Sequence, residues 1–347
     1  EPQYYYPVIP TILINGSTGI GTGFSTDIPK FNPLDICNYI LSLIDNKPLP
    51  LLKPWYRGFT GIIEPTSVGS YITRGCLEFI NDSTVRVTEL PIGSWTEKYV
   101  EFLNKISVER GKETAKNFVR SYNDNSTETQ VDITIKINPI NINKWRNKFG
   151  KDGVSELENR LKLTSTIGTS NMHMFDENCK IKKFHNIESI IEQWYNVRKN
   201  IYVKRRDYLL NQLKNDLDII QFKVKFIEEI IKDTIHIKNV KKQDLIQSLI
   251  DKNYPKMSIK ENVASYDYLL GMDLYKLTKE EIEDLKKKTE LKEIDYNDLL
   301  SKSATMLWKE DINILVDMYS KELKIYNKDH IQKKTIKLKK KRKKTKK

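Results

Sequence analysis

From Ile187 onward, apolar side chains keep a helical stripe: Ile187, Ile190, Ile191, Trp194, Val197 and Ile201. Leu209, Leu213, Leu217, Ile220, Val224, Ile227 and Ile231 continue it at spacings of three and four. Such a stripe is the seam of a helix pair or coiled coil. An unbroken helix over these residues would span roughly 70 Å, too long for the core of an ordinary globular domain. A shorter helical stretch runs from Thr278 to about Tyr326 and can supply the partner. The competing reading is an internal helical hairpin with no role in self-association.

The N-terminal half reads differently. Residues 8–14 form a short apolar run, expected as a strand, that feeds Asn15-Gly16-Ser17-Thr18-Gly19-Ile20-Gly21-Thr22-Gly23-Phe24. Four glycines in eight residues allow a tight turn and close approach to a large partner. They hold one branched apolar residue, Ile20, at their centre. A glycine cradle beside a cation points to nucleotide phosphates. One that presents an isoleucine points to a wedge, the device with which DNA-bending proteins part base pairs. The alternative is a loop whose isoleucine packs into a core. Pro29 and Pro33 bracket the start of a helix from about Leu34 to Asp45, which excludes the immediate helix of a dinucleotide loop. From Phe59 to about Ile137 the pattern alternates as strands do, with a helix near Trp95–Ile106 and a polar loop at Asn123–Glu128. The expected class is α+β.

Composition narrows the options. Of a net charge of +13, residues 331–347 supply eleven Lys/Arg and no acid, leaving the remainder at +2. That tail, taken as disordered from residue 327, fits non-specific nucleic-acid binding, an import signal or a solubilising extension. The sequence holds no run of about 18 apolar residues, the length a membrane-crossing helix needs. Cys37, Cys76 and Cys179 are odd in number and widely spaced, as in a reduced intracellular protein. No Walker sequence and no Cys/His pair at metal-ligand spacing is present. The chain opens on Glu-Pro, as a fragment would.

The flanks of the glycine run carry more. Glu1-Pro2-Gln3-Tyr4-Tyr5-Tyr6-Pro7-Val8-Ile9-Pro10 precedes it, and Ile28-Pro29-Lys30-Phe31-Asn32-Pro33 and Pro54-Trp55-Tyr56-Arg57-Gly58-Phe59-Thr60-Gly61 follow. This order resembles the cleavage core of type IIA DNA topoisomerases, nearer the eukaryotic and large-virus branch than bacterial gyrase. Glu89-Leu90-Pro91, Ser94-Trp95-Thr96, Asn171-Met172, Lys180-Ile181-Lys182-Lys183-Phe184 and Tyr268-Leu269-Leu270-Gly271-Met272 extend the likeness to about residue 326. Phe24 stands where many eukaryotic members have tryptophan, and Ser17-Thr18 leans towards bacterial usage.

The resemblance implies a DNA-bending shoulder over residues 1–170 and antiparallel coiled-coil arms over 171–326. It also implies a small helical dimerisation knob at about 221–272, which forms an exit gate. Ile20 is implied as the intercalating residue. Gly19, Gly21, Thr22, Lys30 and Arg57 are implied as DNA contacts. So is the hydroxyl-rich run Lys162, Thr164, Ser165, Thr166, Thr169, Ser170 and Asn171, which by itself would pass as a surface loop. Lys180, Lys182 and Lys183 are further candidate phosphate partners, the alternative for each of the basic residues being an ordinary surface charge. The family's nucleophilic tyrosine, metal-binding domain and ATPase are expected in a missing N-terminal region or a separate subunit, so no catalytic or metal residue is assigned here. Tyr4-Tyr5-Tyr6 is read as packing at the root of the loop, and Asp216-Leu217-Asp218 as a solvated helix face rather than a metal motif. ATP and Mg²⁺ would serve the complete enzyme outside this chain. Expected partners are duplex DNA and a second copy, in the nucleus or a viral factory. A non-enzymatic architectural DNA-binding dimer and a purely structural coiled-coil protein are the rival readings.

Overall fold

The computed structural model describes residues 5–108, 113–150, 152–237, 239–258, 264–273 and 278–344, with side chains as far as residue 328. Glu1–Tyr4, quoted for the resemblance, lie outside the described residues. Two compact units emerge: residues 1–196 with 311–347, and residues 197–310. The observed class is α+β.

In the first unit the expected strand at 8–14 is instead a single helical turn, α1 (Thr11–Asn15). Pro10 at its N-cap has no N–H to give a ladder, and a fully buried Leu13 anchors the turn. An antiparallel hairpin follows, β1 (Ser17–Gly21) and β2 (Phe24–Ile28), joined by Thr22-Gly23. Gly23, the second turn residue, has φ +81, a conformation that glycine adopts without steric cost at that position. The glycine run is therefore extended along most of its length, not coiled. Next comes α2 (Pro33–Ile44), whose N-cap Asn32 accepts from the Leu34 amide and whose Ile36, Cys37, Tyr39 and Ile40 are buried.

Seven strands and three helices complete the body: β3 (Ile62–Ser67), β4 (Ser70–Arg74), β5 (Cys76–Asn81), β6 (Thr84–Glu89), α3 (Thr96–Lys105), β7 (Val119–Asp124), β8 (Ile133–Ile137), α4 (Pro139–Arg146), α5 (Glu156–Arg160) and β9 (Thr164–Gly168). Strand order is β3-β4-β9 in one sheet and β5-β6-β8-β7 in another. Alternation places Val85, Val87, Ile133, Ile135 and Ile137 on one face, all fully buried against Leu103, Trp145, Leu157 and Leu163. Each such aliphatic side chain contributes about 1.5–3 kcal/mol of burial. The polar loop expected at Asn123–Glu128 starts later, because Asn123 and Asp124 still pair with Thr134 and Ile133.

A further hairpin, β10 (Met172–Phe175) and β11 (Ile181–Phe184), belongs to the first unit, so the units do not divide at 170/171 as expected. Helix α6 (Ile187–Ile231) is unbroken over 45 residues. It is followed by α7 (Lys242–Asp251), α8 (Asp267–Leu270), α9 (Lys279–Ser301) and α10 (Ala304–Lys344). Within the second unit, partners on α6 rise as those on α9 and α10 fall. Tyr202 stacks on Trp308, Arg206 donates to the carbonyls of Leu300 and Lys302, Asp216 pairs with Lys292, and Glu228 with Lys286. The helices are therefore antiparallel.

The stretch expected as one helix from Thr278 to Tyr326 breaks at Lys302-Ser303, where Lys302 is extended. At the C-terminal end of α6, Phe226 packs with Ile235, Leu249, Tyr254, Tyr266, Tyr268 and Leu269 in a separate small core. The tail also differs from expectation: the backbone of α10 is helical through Lys344 rather than disordered from 327. Lys and Arg are good helix formers, and the segment holds neither Gly nor Pro to stop propagation from the preceding turns.

Candidate nucleic-acid interface

The β1–β2 hairpin is built to hold one side chain clear of the protein. Ile20 lies in β1 opposite Ser25 and is 94% exposed, so its burial in a core is excluded. The hairpin root depends on Gly16. At φ +66, a Cβ there would sit 2.8 Å from the Ile28 carbonyl oxygen. Thr18 Oγ1 donates to Asp27 Oδ1 at 3.0 Å and ties the two strands side to side.

A second hairpin buttresses the first. The Asp27 amide donates to the Asn171 carbonyl at 2.8 Å, and the His173 amide to Thr26 Oγ1 at 3.1 Å. Asn171 Nδ2 donates to Ser25 Oγ at 2.9 Å, which turns Asn171 Oδ1 towards His173 Nδ1 at 3.1 Å. The His173 ring meets Phe24 edge-on with centroids 6.0 Å apart. The turn of the second hairpin is closed by Asp176 Oδ1, which accepts from the amides of Asn178 and Lys180 at 2.9 Å each. The bond from Lys180 is the main cause holding the Asp176 carboxyl below its ordinary range. Lys180, Lys182 and Lys183 follow in sequence; Lys182 Nζ donates to Gln193 Oε1 at 2.7 Å.

The other expected contacts divide. Gly19, Gly21, Thr22 and Lys30 are exposed on or beside the first hairpin. The run from Lys162 to Asn171 is not a loop: Thr164–Gly168 is β9, paired along its length with β4. Ser165 Oγ donates to the Ile92 carbonyl and Thr164 Oγ1 to Asn159 Oδ1. Thr169 is buried, with its hydroxyl donating to the Gly69 carbonyl, which removes it from the surface contacts expected of it. Thr166 and Ser170 remain exposed, and Lys162 lies over the Phe102 ring at 4.5 Å. Asn171 turns its side chain to the hairpin. Arg57 is engaged within the protein: it binds Glu322 at 2.7 Å and stacks on Tyr326 at 4.2 Å.

Sequence reasoning missed His173, Phe175 and Ile181 as parts of this site. The available signal was two four-residue runs around the polar turn Asp176-Glu177-Asn178-Cys179, a hairpin in miniature. In α6, Asp216 is paired with Lys292 at 2.6 Å and Leu217 is buried. Among the described residues no three His, Cys, Asp or Glu side chains gather where they could hold a metal ion, and no helix is long and apolar enough to cross a membrane.

An exposed aliphatic hairpin on an α+β body, with long antiparallel helices following in sequence, defines the class of the topoisomerase II cleavage core. The family model for the A subunit of DNA gyrase/topoisomerase IV matches residues 1–313. This chain belongs to that family. It is 33% identical over 377 aligned positions to DNA topoisomerase 2 of Acanthamoeba polyphaga mimivirus, covering 92% of this chain and 29% of the relative. With DNA topoisomerase 2 of Plasmodium falciparum it shares 34% identity, covering 90% of this chain and 24% of that protein. The crystal structure of the Plasmodium falciparum topoisomerase II DNA-binding, cleavage and re-ligation domain superposes with a TM-score of 0.78 at 33% identity. That match covers 94% of this chain and 46% of the solved one. The chain thus spans less than a third of these two curated relatives.

Proposed function

We propose that this chain is the DNA-bending and arm-forming part of a type IIA DNA topoisomerase, an enzyme that passes one duplex through a transient double-strand break in another. The observation that carries the reading is Ile20, 94% exposed on a hairpin pinned at its root and along one side. Kinking a duplex costs several kcal/mol, recovered through the inserted side chain and added phosphate contacts. Ile20 supplies the wedge. The close approach that Gly19 and Gly21 allow, with Thr22 and the exposed Lys30, supplies uncharged and cationic contacts to the flanking phosphates. Thr166 and Ser170, both exposed, extend the contact.

In this reading the small core at the C-terminal end of α6 forms the exit-gate contact with a second copy. The nucleophilic tyrosine, the ATPase and the Mg²⁺ site lie in polypeptide outside these residues. The chain then binds and bends DNA without cutting it, in whichever intracellular compartment holds the DNA, nucleus or viral factory. The test is end-to-end energy transfer on a short duplex. Ile20→Ala should lose most of the bending seen with the wild type; undiminished bending would overturn the wedge. Restored strand passage on adding the tyrosine-bearing region separates an enzyme from an architectural dimer.

A further inference from the structure

The second hairpin gives the site a face that the wedge does not use. By the β1–β2 register Ile20 shares its side with Ser25, whereas Gly19 and Gly21 share the opposite side with Phe24 and Thr26. There they floor a recess of about 290 Å³ walled by Phe24, Phe175 and Ile181. All three walls are exposed.

Neither glycine is demanded by the fold. Both lie outside the left-handed region; a Cβ on Gly19 would meet nothing within 4 Å, and one on Gly21 only the Phe24 carbonyl at 3.7 Å. A strand glycine that its own chain does not need marks a place where another molecule comes close. The recess is apolar and continuous with Ile20 at its rim, while Lys180, Lys182 and Lys183 lie on and just before β11.

We infer that this recess seats the deoxyribose of the nucleotide beside the wedge, so that the paired hairpins grip the kinked strand from both faces. The inference rests on the DNA-bending reading above. Of the parts of a strand, the phosphate needs cations or amides, and a base edge needs hydrogen-bond partners. The sugar offers the C–H surface that matches these walls, and the exposed Lys180 and Lys183 are placed for phosphates on either side. The volume, at the lower end of ligand pockets, holds one such unit rather than a large ligand. Ser25, Thr26 and His173 also line the recess, but each already bonds within the paired hairpins; a ribose 2′-hydroxyl set against the apolar walls would lose its water for little return. The recess therefore selects deoxyribose at that step.

The test uses the full chain and a duplex carrying an energy-transfer pair. Gly19→Val fills the floor with a side chain whose Cβ meets nothing within 4 Å, and should lower DNA affinity about tenfold. Phe175→Ser with Ile181→Ser should weaken binding by roughly three- to tenfold. Single ribonucleotides walked along the duplex should cost the wild type about tenfold at one step per strand, and the serine pair should erase that contrast. Unchanged affinity in both variants and a flat ribonucleotide walk, with Ile20→Ala still losing bending, would overturn the sugar site and leave the wedge standing. If Ile20→Ala also bends DNA normally, both readings fall. If the variants alter sedimentation but not DNA binding, the occupant is a second copy and the inference is wrong. Should the serine pair fail to fold, Gly19→Val and the ribonucleotide walk decide.

Discussion

Two segments with the same expected role have opposite construction. In the β1–β2 hairpin, Ile20 stands free, and the glycines beside it leave space that no part of the chain fills. In β9, Ile167 and Leu163 just before it are buried, and three of the hydroxyls expected to meet phosphates already donate within the protein. Groups kept free of internal partners are available to a ligand. Groups already bonded hold the fold, and moving them costs stability. The hairpin is the recognition element, and β9 is its support.

The widest separation between the two comes from the same chemical change in each. Leu163→Ala opens a cavity among Val87, Leu157 and Leu161 and should cost about 2–5 kcal/mol in urea unfolding. Ile20→Ala should leave stability within about 0.5 kcal/mol, since no contact of a 94% exposed side chain is lost. Its effect belongs in DNA bending instead. A large stability loss from Ile20→Ala would erase the distinction.

A finer cut tests the buried hydroxyl. Thr169→Val keeps the shape and removes the bond to the Gly69 carbonyl, for an expected loss of about 1 kcal/mol. Because Asn171, two residues on, also carries the hairpin's Asp27, loosening here should raise amide exchange at Asp27 as well. Exchange confined to Gly69 and Thr169 would show that β9 and the hairpin are mechanically separate.

How much of this was legible beforehand follows from where the information lies. The stripe from Ile187 to Ile231 predicts α6 because a helix repeats its own pattern locally. Pro29 and Pro33 announce the start of α2 for the same reason, and the Asn32 cap emerges only in the structure. Ile20 was singled out as a wedge candidate because glycine on both sides is a local statement. The supports were not visible. Thr164, Ser165 and Thr169 look like a polar surface run until β4, some ninety residues earlier in the chain, claims their backbone. Arg57 looks like a phosphate ligand until Glu322 and Tyr326 meet it across more than 260 residues. The short strands β10 and β11 are too brief to announce themselves, and they gain meaning only against β2. The turn at α1 was misread because an apolar heptapeptide with one proline satisfies strand and helix equally until Leu13 finds its core.

The smallest expected effect concerns acid, and it probes the buttress alone. Asp176 is a depressed carboxyl: its native value lies below 3.8, held there first by the Lys180 amide and then by Asn178. The sign follows from linkage. The unfolded state binds the proton more readily, so the contribution is complete above about pH 4 and is lost as pH falls through the native value. Nothing should change between pH 5 and 8, where DNA binding is measured. Below about pH 4 the amides of Asn178 and Lys180 should lose protection relative to their intrinsic exchange rates, while those of the β1–β2 hairpin keep theirs. Asp176→Ala should bring that loss of protection to neutral pH and abolish its acid dependence. If the β1–β2 amides loosen together with the turn, the two hairpins are one cooperative unit, and any grip on DNA is exerted by both at once.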